Sequence, residues 1–290
     1  MAIIEIDKFK AYLGLDGTKS IIVNSDQIEE CMRIYIENNL DGVAITTSHD
    51  YKLQNVDFLA NYPNIKQLSI SDGIEDISAI NTLHDLESLM ISGKNRKVDY
   101  AWFPKLKQLI ADWSPHFLNM DKCKSLKNLS LYGYNPKTKD CSSISNIPWI
   151  EKLKIVHSPI NTLNGLEHFN QLKELELAYC SKLETLCCIE NSKESLVTLF
   201  LDHCKGIKNI EYVTQFYNLR NLDYKHGALS SIKFIKNMKA LKSFIFVGTD
   251  VADGDITACI GLKFVNFSNK KHFSHTMEEI KKLTASMRNV

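Results

Sequence analysis

Five aromatic or imidazole side chains recur at one place in a periodic sequence: Trp113, His157, Tyr179, His203 and His226. The last four follow one another at steps of 22, 24 and 23 residues. Carboxylates accompany them. Asp112 and Asp202 directly precede Trp113 and His203, and Glu176 and Asp223 stand three residues before Tyr179 and His226. Cys180 and Cys204 come one position later than Tyr179 and His203. Imidazole, carboxylate and thiol are the groups that ligate zinc or move protons near neutral pH. Residues equivalent to His203 and His226 on adjacent strands would lie about 4.8 Å apart. Yet no two of these candidates show the short spacings of structural zinc sites, and the cysteines fall where a side chain should point inward. No metal ligand and no cofactor is therefore assigned. The vicinal pair Cys187-Cys188 reads as core filler. Catalysis has equally little support, with no phosphate-cradling glycine loop, no nucleophile elbow and no His-Glu-x-x-His. A Ser/His/Asp grouping drawn from so polar a set carries no weight, so no catalytic residue is assigned. What these residues suit is recognition, because aromatic anchors in a mixed-charge field are what protein interfaces are enriched in.

The elements that must hold them are set by a second pattern. Leu172-Lys-Glu-Leu175-Glu-Leu177, Leu196-Val-Thr-Leu199-Phe-Leu201 and Leu219-Arg-Asn-Leu222-Asp-Tyr224 are three of eleven copies. The others start at Leu40, Ile65, Leu86, Leu106, Leu126, Ile150, Leu241 and Leu262. Steps between starts are 20 to 25 residues, which is the signature of leucine-rich repeats. The first, fourth and sixth positions should point inward from a short strand, and successive strands should pair in a parallel sheet. The return path has its own spacing of three, as in Leu163-x-x-Leu166-x-x-Phe169 and Ile207-x-x-Ile210-x-x-Val213. That spacing predicts turns or short 3₁₀ helix rather than long α-helices. The expected fold is an α/β solenoid: a curved leucine-rich repeat array, with a parallel β-sheet on the concave face and turns and short 3₁₀ helices on the convex face.

Copies of about 22 residues with a Leu-x-x-Leu or Ile-x-x-Ile return resemble the internalin and phosphatase-regulator type of leucine-rich repeat. Cys180 and Cys204, at the ninth position of their copies, resemble the cysteine-containing variety. The resemblance covers residues 40–271, is specific for fold and weak for function, and implies a stand-alone bacterial member. The ninth position usually carries an asparagine that ladders onto neighbouring backbone. Here it carries Gly73, Ser158, Cys180, Cys204, Gly227 and Thr249, so a weaker ladder is expected, with some backbone groups relying on water.

Alternation along the strands puts the third, fifth and seventh positions, with the eighth beside them, on the concave face. That is the usual binding surface of a curved solenoid. The candidate partner-binding residues are Ile110, Asp112, Trp113, Tyr132, Lys154, His157, Glu176, Tyr179, Phe200, Asp202, His203, Asp223, Lys225, His226 and Ile245.

Both ends leave the repeat. Residues 1–39 read as an N-terminal cap, with a strand at Ile21-Ile22-Val23, an N-cap at Ser25 and a helix whose stripe is Ile28, Cys31, Met32 and Tyr35. Residues 272–290 read as a C-terminal helical cap. It opens on the capping box Thr276-Met-Glu-Glu279, and Phe273, Met277, Ile280 and Met287 form one face. Caps cover the open core edges of a terminal repeat, and the whole is expected to be one cooperative domain. The short basic run Lys94-Asn-Arg96-Lys97 reads as a solvated loop.

Lys and Arg total 35 against 34 Asp and Glu, so composition gives no basic footprint for nucleic acid. No stretch is long and apolar enough to span a bilayer. The start, Met-Ala-Ile-Ile-Glu-Ile-Asp-Lys, carries charges where a secretory segment would be continuously apolar. The eight scattered cysteines suit reduced thiols, and a cytoplasmic location is expected. The expected function is a non-catalytic protein-binding module acting by occlusion, an inhibitor or toxin-immunity protein; a monomer is favoured, but the oligomeric state stays open because exposed solenoid edges can pair. Asp112, Glu176, Asp202 and Asp223 would suit a basic toxin or enzyme as partner. The alternatives are a scaffold or regulatory subunit of an enzyme, and a secreted effector or adhesin that binds a host protein.

Overall fold

The computed structural model describes residues 2–288. They fall into two compact units that divide between Leu131 and Tyr132. The first unit opens with three antiparallel strands, β1 (Ala2–Ile6), β2 (Phe9–Leu13) and β3 (Lys19–Ile22), then helix α1 (Ile28–Glu37). Its repeat strands are β4 (Gly42–Ile45), β5 (Gln67–Ile70), β6 (Ser88–Ile91), β8 (Gln108–Asp112) and β10 (Asn128–Tyr132). Two short strands, β7 (Val98–Asp99) and β9 (Phe117–Leu118), pair with each other on the return path. β3 pairs with β4 in parallel, and β4, β5, β6 and β8 continue the parallel order.

The second unit repeats the plan. β11 (Lys152–Val156), β12 (Glu174–Ala178), β13 (Thr198–Asp202), β14 (Asn221–Lys225), β16 (Ser243–Ile245) and β18 (Phe264–Asn266) pair in parallel in that order. Here β15 (Ala228–Leu229) and β17 (Asp250–Val251) form the small return-path pair, and α2 (Met277–Arg288) follows. Parallel pairing sets one copy directly over the next. Leu153, Leu175, Leu199, Leu222 and Phe244 share one register row, and each is buried. In all eleven copies the first, fourth and sixth positions are buried, except that Leu262 is half-buried in the last. The return paths carry short 3₁₀ turns, such as Ser78–Thr82, Ile210–Gln215 and Lys233–Asn237, whose apolar residues close the core from the other side.

The ninth-position ladder exists with other chemistry. Ser158 Oγ donates to the Tyr134 carbonyl at 2.5 Å, and Thr249 Oγ1 donates to the Tyr224 carbonyl at 2.7 Å. Cys180 and Cys204 thiols reach the Ile155 and Leu177 carbonyls at 3.8 and 3.3 Å. Hydroxyls and thiols thus take the role expected of asparagine, each tying its copy to the one before. At Gly227 the Tyr224 ring claims the space: a Cβ there would meet Tyr224 Cε1 at 2.5 Å.

Several local expectations change. Ser25 does not cap α1; its hydroxyl bonds the Asp50 carbonyl at 3.1 Å, and the helix starts after Gln27 with no side-chain cap. Ile34 joins Cys31 and Met32 in the buried stripe, while Ile28 and Tyr35 are half-buried. Strands β1 and β2 form a hairpin that lies outside the repeat pattern. Its turn places Asp7 and Lys8 at φ of 46° and 73°, a conformation for which lysine gives no sequence signal. Arg96 is not simply solvated: its guanidinium donates to the Ser92, Ile74 and Ser71 carbonyls at 2.6, 2.7 and 3.1 Å, pinning the loop to two strand ends. At the C-terminus Thr276 and Glu279 form the reciprocal capping bonds that their spacing predicts, at 2.7 and 3.3 Å. Phe273 and Ile280 are buried, but Met287 is 66% exposed. Thr284 turns inward instead, accepting from the Gly261 amide at 3.0 Å, because it lies one turn beyond Ile280.

Two substitutions test this packing. Leu199→Ala is expected to destabilise the chain by about 2–5 kcal/mol through loss of packed volume, measured by denaturant unfolding. Gly165 sits at φ +103°, and a Cβ would lie 2.4 Å from the Cys141 carbonyl carbon. Gly165→Ala should therefore cost at least about 2 kcal/mol, although it adds one methyl group.

Candidate functional site

Four repeat strands of the second unit, β11, β12, β13 and β14, end in the same turn. The residue after the strand turns into the left-handed region, and its amide donates to the seventh-position carbonyl of the next copy. His157 (φ 55°), Tyr179 (φ 56°), His203 (φ 54°) and His226 (φ 54°) all do this. Their amides reach the Ala178, Asp202, Lys225 and Val247 carbonyls at 2.9, 2.8, 3.2 and 3.1 Å. Gly133 and Gly248 occupy the same position with φ of 63° and 70°. A non-glycine residue there carries roughly 1–2 kcal/mol of backbone strain, so four consecutive large rings need a compensating interaction.

That interaction is stacking. His157 lies on Tyr179 with centroids 4.5 Å apart, Tyr179 on His203 at 4.5 Å, and His203 on His226 at 4.1 Å, all within 25° of parallel. Strand spacing and ring-stacking distance nearly coincide, so identical backbone turns place rings face to face. The stack ends where the next copy has no side chain: a Cβ on Gly248 would meet His226 Cδ2 at 2.5 Å.

Beside the stack Asp202, the last residue of β13, binds two imidazoles with one oxygen. His203 Nδ1 and His226 Nδ1 lie 2.7 and 2.8 Å from Asp202 Oδ1. A carboxylate only accepts, so both Nδ1 atoms donate to it. Burial alone would raise the Asp202 carboxyl, but the hydrogen bonds from His226 and His203 outweigh it and hold the group below its usual range. Together the three residues bring possible ligand atoms within 4.8 Å of one another.

The fifth-position row runs Lys154, Glu176, Phe200, Asp223 and Ile245 across five paired strands. Lys154 bridges Glu176 at 2.7 Å, and its ammonium lies 6.0 Å from the centre of the exposed Tyr132 ring. Burial would lower the Lys154 ammonium, yet its bond to Glu176 holds it above the usual value. Phe200 and Ile245 are half-buried. Asp223, expected on the exposed face, is only 4% exposed and pairs with Lys225 at 2.9 Å. Glu176, Phe200, Asp202, Asp223 and Lys225 line a shallow pocket of about 280 Å³. Ile110, Asp112 and Trp113 belong to the first unit, where all three are half-buried and Asp112 accepts from the Gly93 amide at 2.8 Å.

A row missing from the candidate set is the third-position one: Lys152, Glu174, Thr198, Asn221, Ser243 and Phe264. Lys152 bridges Glu174 at 3.2 Å, Asn221 donates to Thr198 at 3.1 Å, and Phe264 is 50% exposed. The same alternation that identified the fifth row would have found it.

Residues 161–284, less than half of the chain, match the family model described as Zer-1-like leucine-rich repeats. Among solved structures, the internalin InlF of Listeria monocytogenes is similar over 89% of this chain and 84% of its own, with 15% identity and a TM-score of 0.53. Internalin C2 from the same species aligns over 70% of this chain and 88% of its own, at 18% identity and a TM-score of 0.46. The leucine-rich repeat domain of the type III effector XopL aligns over 60% of this chain, with 18% identity and a TM-score of 0.44. This chain covers 65% of that domain, less than two thirds of its length. No curated protein matches. The likeness to InlF is one of fold.

The Asp223 environment sets a pH test. Burial raises its carboxyl above the ordinary 3.8 against the pull of Lys225, so the folded chain binds that proton more tightly than the unfolded one. The associated stability is present below about pH 4 and lost as pH rises through the folded value. Asp223→Asn should therefore raise the melting temperature at pH 7, with the gain shrinking towards pH 4. A loss at pH 7 would show that the Lys225 pair outweighs burial.

Proposed function

We propose that this chain, a leucine-rich repeat protein, is a non-catalytic protein-binding module that grips one partner with the open face of its sheet. The observation that carries this reading is the ring stack. Four large side chains occupy turns that glycine would fill without strain, and Tyr179 remains 45% exposed at the centre. Stability alone gives no reason for such a row. A pre-ordered aromatic surface is useful to a binder because less side-chain freedom is lost on association. Tyr132, Phe200 and Ile245 extend the apolar surface, with Lys154 and Glu176 at its edge, and Ile110, Asp112 and Trp113 serve as contacts on the first unit.

Action by occlusion is the simplest consequence, and an inhibitor or toxin-immunity role follows from it. The eight free cysteines support a reducing, cytoplasmic setting. Steering of a basic partner has weaker support than the rings do. Each of Asp112, Glu176, Asp202 and Asp223 is already engaged by its own chain, as described above. Recognition should therefore rest on stacking and apolar contact.

The test is a pull-down from the native cell with the chain as bait, beside Trp113→Ala, Tyr179→Ala and Phe200→Ala variants. Each should retain the parent's circular dichroism and weaken binding of one stoichiometric partner by about 1–4 kcal/mol. Affinity should change little with salt, since screening acts on exposed charges. Unchanged affinity in all three variants would move the interface off this face. A captured enzyme that stays active in the complex would favour a regulatory subunit over an inhibitor.

A further inference from the structure

We infer that Asp202, His203 and His226 form a binding site for one divalent transition-metal ion of the zinc, cobalt or nickel class. The chemistry of the donors points there. Two imidazoles and a carboxylate are a donor set that these ions favour and that calcium and magnesium, which seek oxygen, do not. The geometry agrees. Both Nδ1 atoms aim at a single carboxylate oxygen, from 2.7 and 2.8 Å. Ligand atoms on one tetrahedral ion, with bonds of about 2.0–2.2 Å, lie about 3.3–3.6 Å apart. The carboxylate need only draw back by less than about 1 Å for an ion to replace the two N–H protons. Each imidazole would then carry its proton on Nε2.

Two features make this more than a chance surface cluster. The first is positional rigidity. His203 and His226 are held in left-handed turns by amide bonds to the neighbouring copy. His203 is sandwiched between Tyr179 and His226, and His226 abuts the Gly248 backbone. Neither ring has to be ordered when the ion arrives, and a pre-set first shell is what metal affinity requires. The second is charge. The Asp202 carboxylate, shared by both rings, supplies an anionic ligand that would offset part of the charge of a dication placed between them. The three side chains are between 32% and 44% exposed, so the remaining coordination positions face solvent.

His157 tests the assignment from inside the same stack. It shares the backbone turn and the stacking but belongs to no carboxylate pair among the described contacts. The buried Cys180 and Cys204 provide the competing explanation for any binding.

The experiment uses the full, untagged chain, titrated calorimetrically with zinc chloride and separately with cobalt(II) while its visible spectrum is recorded. One ion per chain is expected, with a cobalt spectrum lacking any thiolate-to-metal charge-transfer band. His203→Gln, His226→Gln and Asp202→Asn should each weaken zinc binding by about ten-fold or more. His157→Gln should leave it unchanged, and all variants should keep the parent's far-ultraviolet circular dichroism. The inference is overturned by absence of saturable binding, by equal affinity in the three site variants, by loss in His157→Gln, or by a sulfur charge-transfer band. It stands apart from the protein-binding reading, because it needs only the chain and the ion.

Discussion

The whole arrangement depends on one constraint: each copy of about 22 residues must place its strand in hydrogen-bond register with the next. Parallel pairing at strand spacing stacks equivalent positions directly over one another. A leucine then meets leucines above and below, and the core becomes a column. Leu153, Leu175, Leu199 and Leu222 are such a column. No single copy could bury this surface alone, which is why the pattern must repeat.

The same constraint makes surface chemistry periodic. Backbone that repeats at strand spacing brings equivalent side chains within contact distance whether they are apolar or not. In the core this produces aliphatic packing, and near the C-terminus it produces the Phe246–Phe267 ring stack. At the strand ends it produces the Tyr and His stack, and at the ninth position a ladder of hydroxyl and thiol donors. Along the fifth row it pairs Lys154 with Glu176 on adjacent strands. A repeat fold thus converts a sequence period into rows of like function, and a single departure shows up as a local event. Tyr224 in place of leucine is accommodated by Gly227, and the loss of a ring at Gly248 ends the stack.

Strain and order are coupled in that stack. Left-handed turns are costly for tyrosine and histidine, while offset ring pairs return about 0.5–1.5 kcal/mol each. The inter-copy amide bonds exist at glycine as well, so they hold the turn without explaining the rings. The row of pre-ordered aromatic groups, with a carboxylate shared by two imidazoles at one end, is the surface we propose for partner contact.

Much of the fold was legible from the residues alone. Eleven spaced copies determine a leucine-rich repeat solenoid, the inward positions and the short 3₁₀ returns, since period and alternation are properties of the chain. The capping box at Thr276 was legible for the same reason: its partners lie three residues apart. The candidate face was legible as rows, because alternation assigns Ile110, Phe200 and Ile245 to one side. Three things required the tertiary structure. Burial of Asp223 depends on what neighbouring strands place around it, which alternation does not contain. Arg96 bonds carbonyls from two earlier segments, so its basic run looked solvated. The sharing of Asp202 by His203 and His226 depends on a left-handed turn repeated in adjacent copies. Sequence spacing placed those histidines on neighbouring strands, but only the backbone dihedrals decide that their rings stack and that both nitrogens converge on one oxygen.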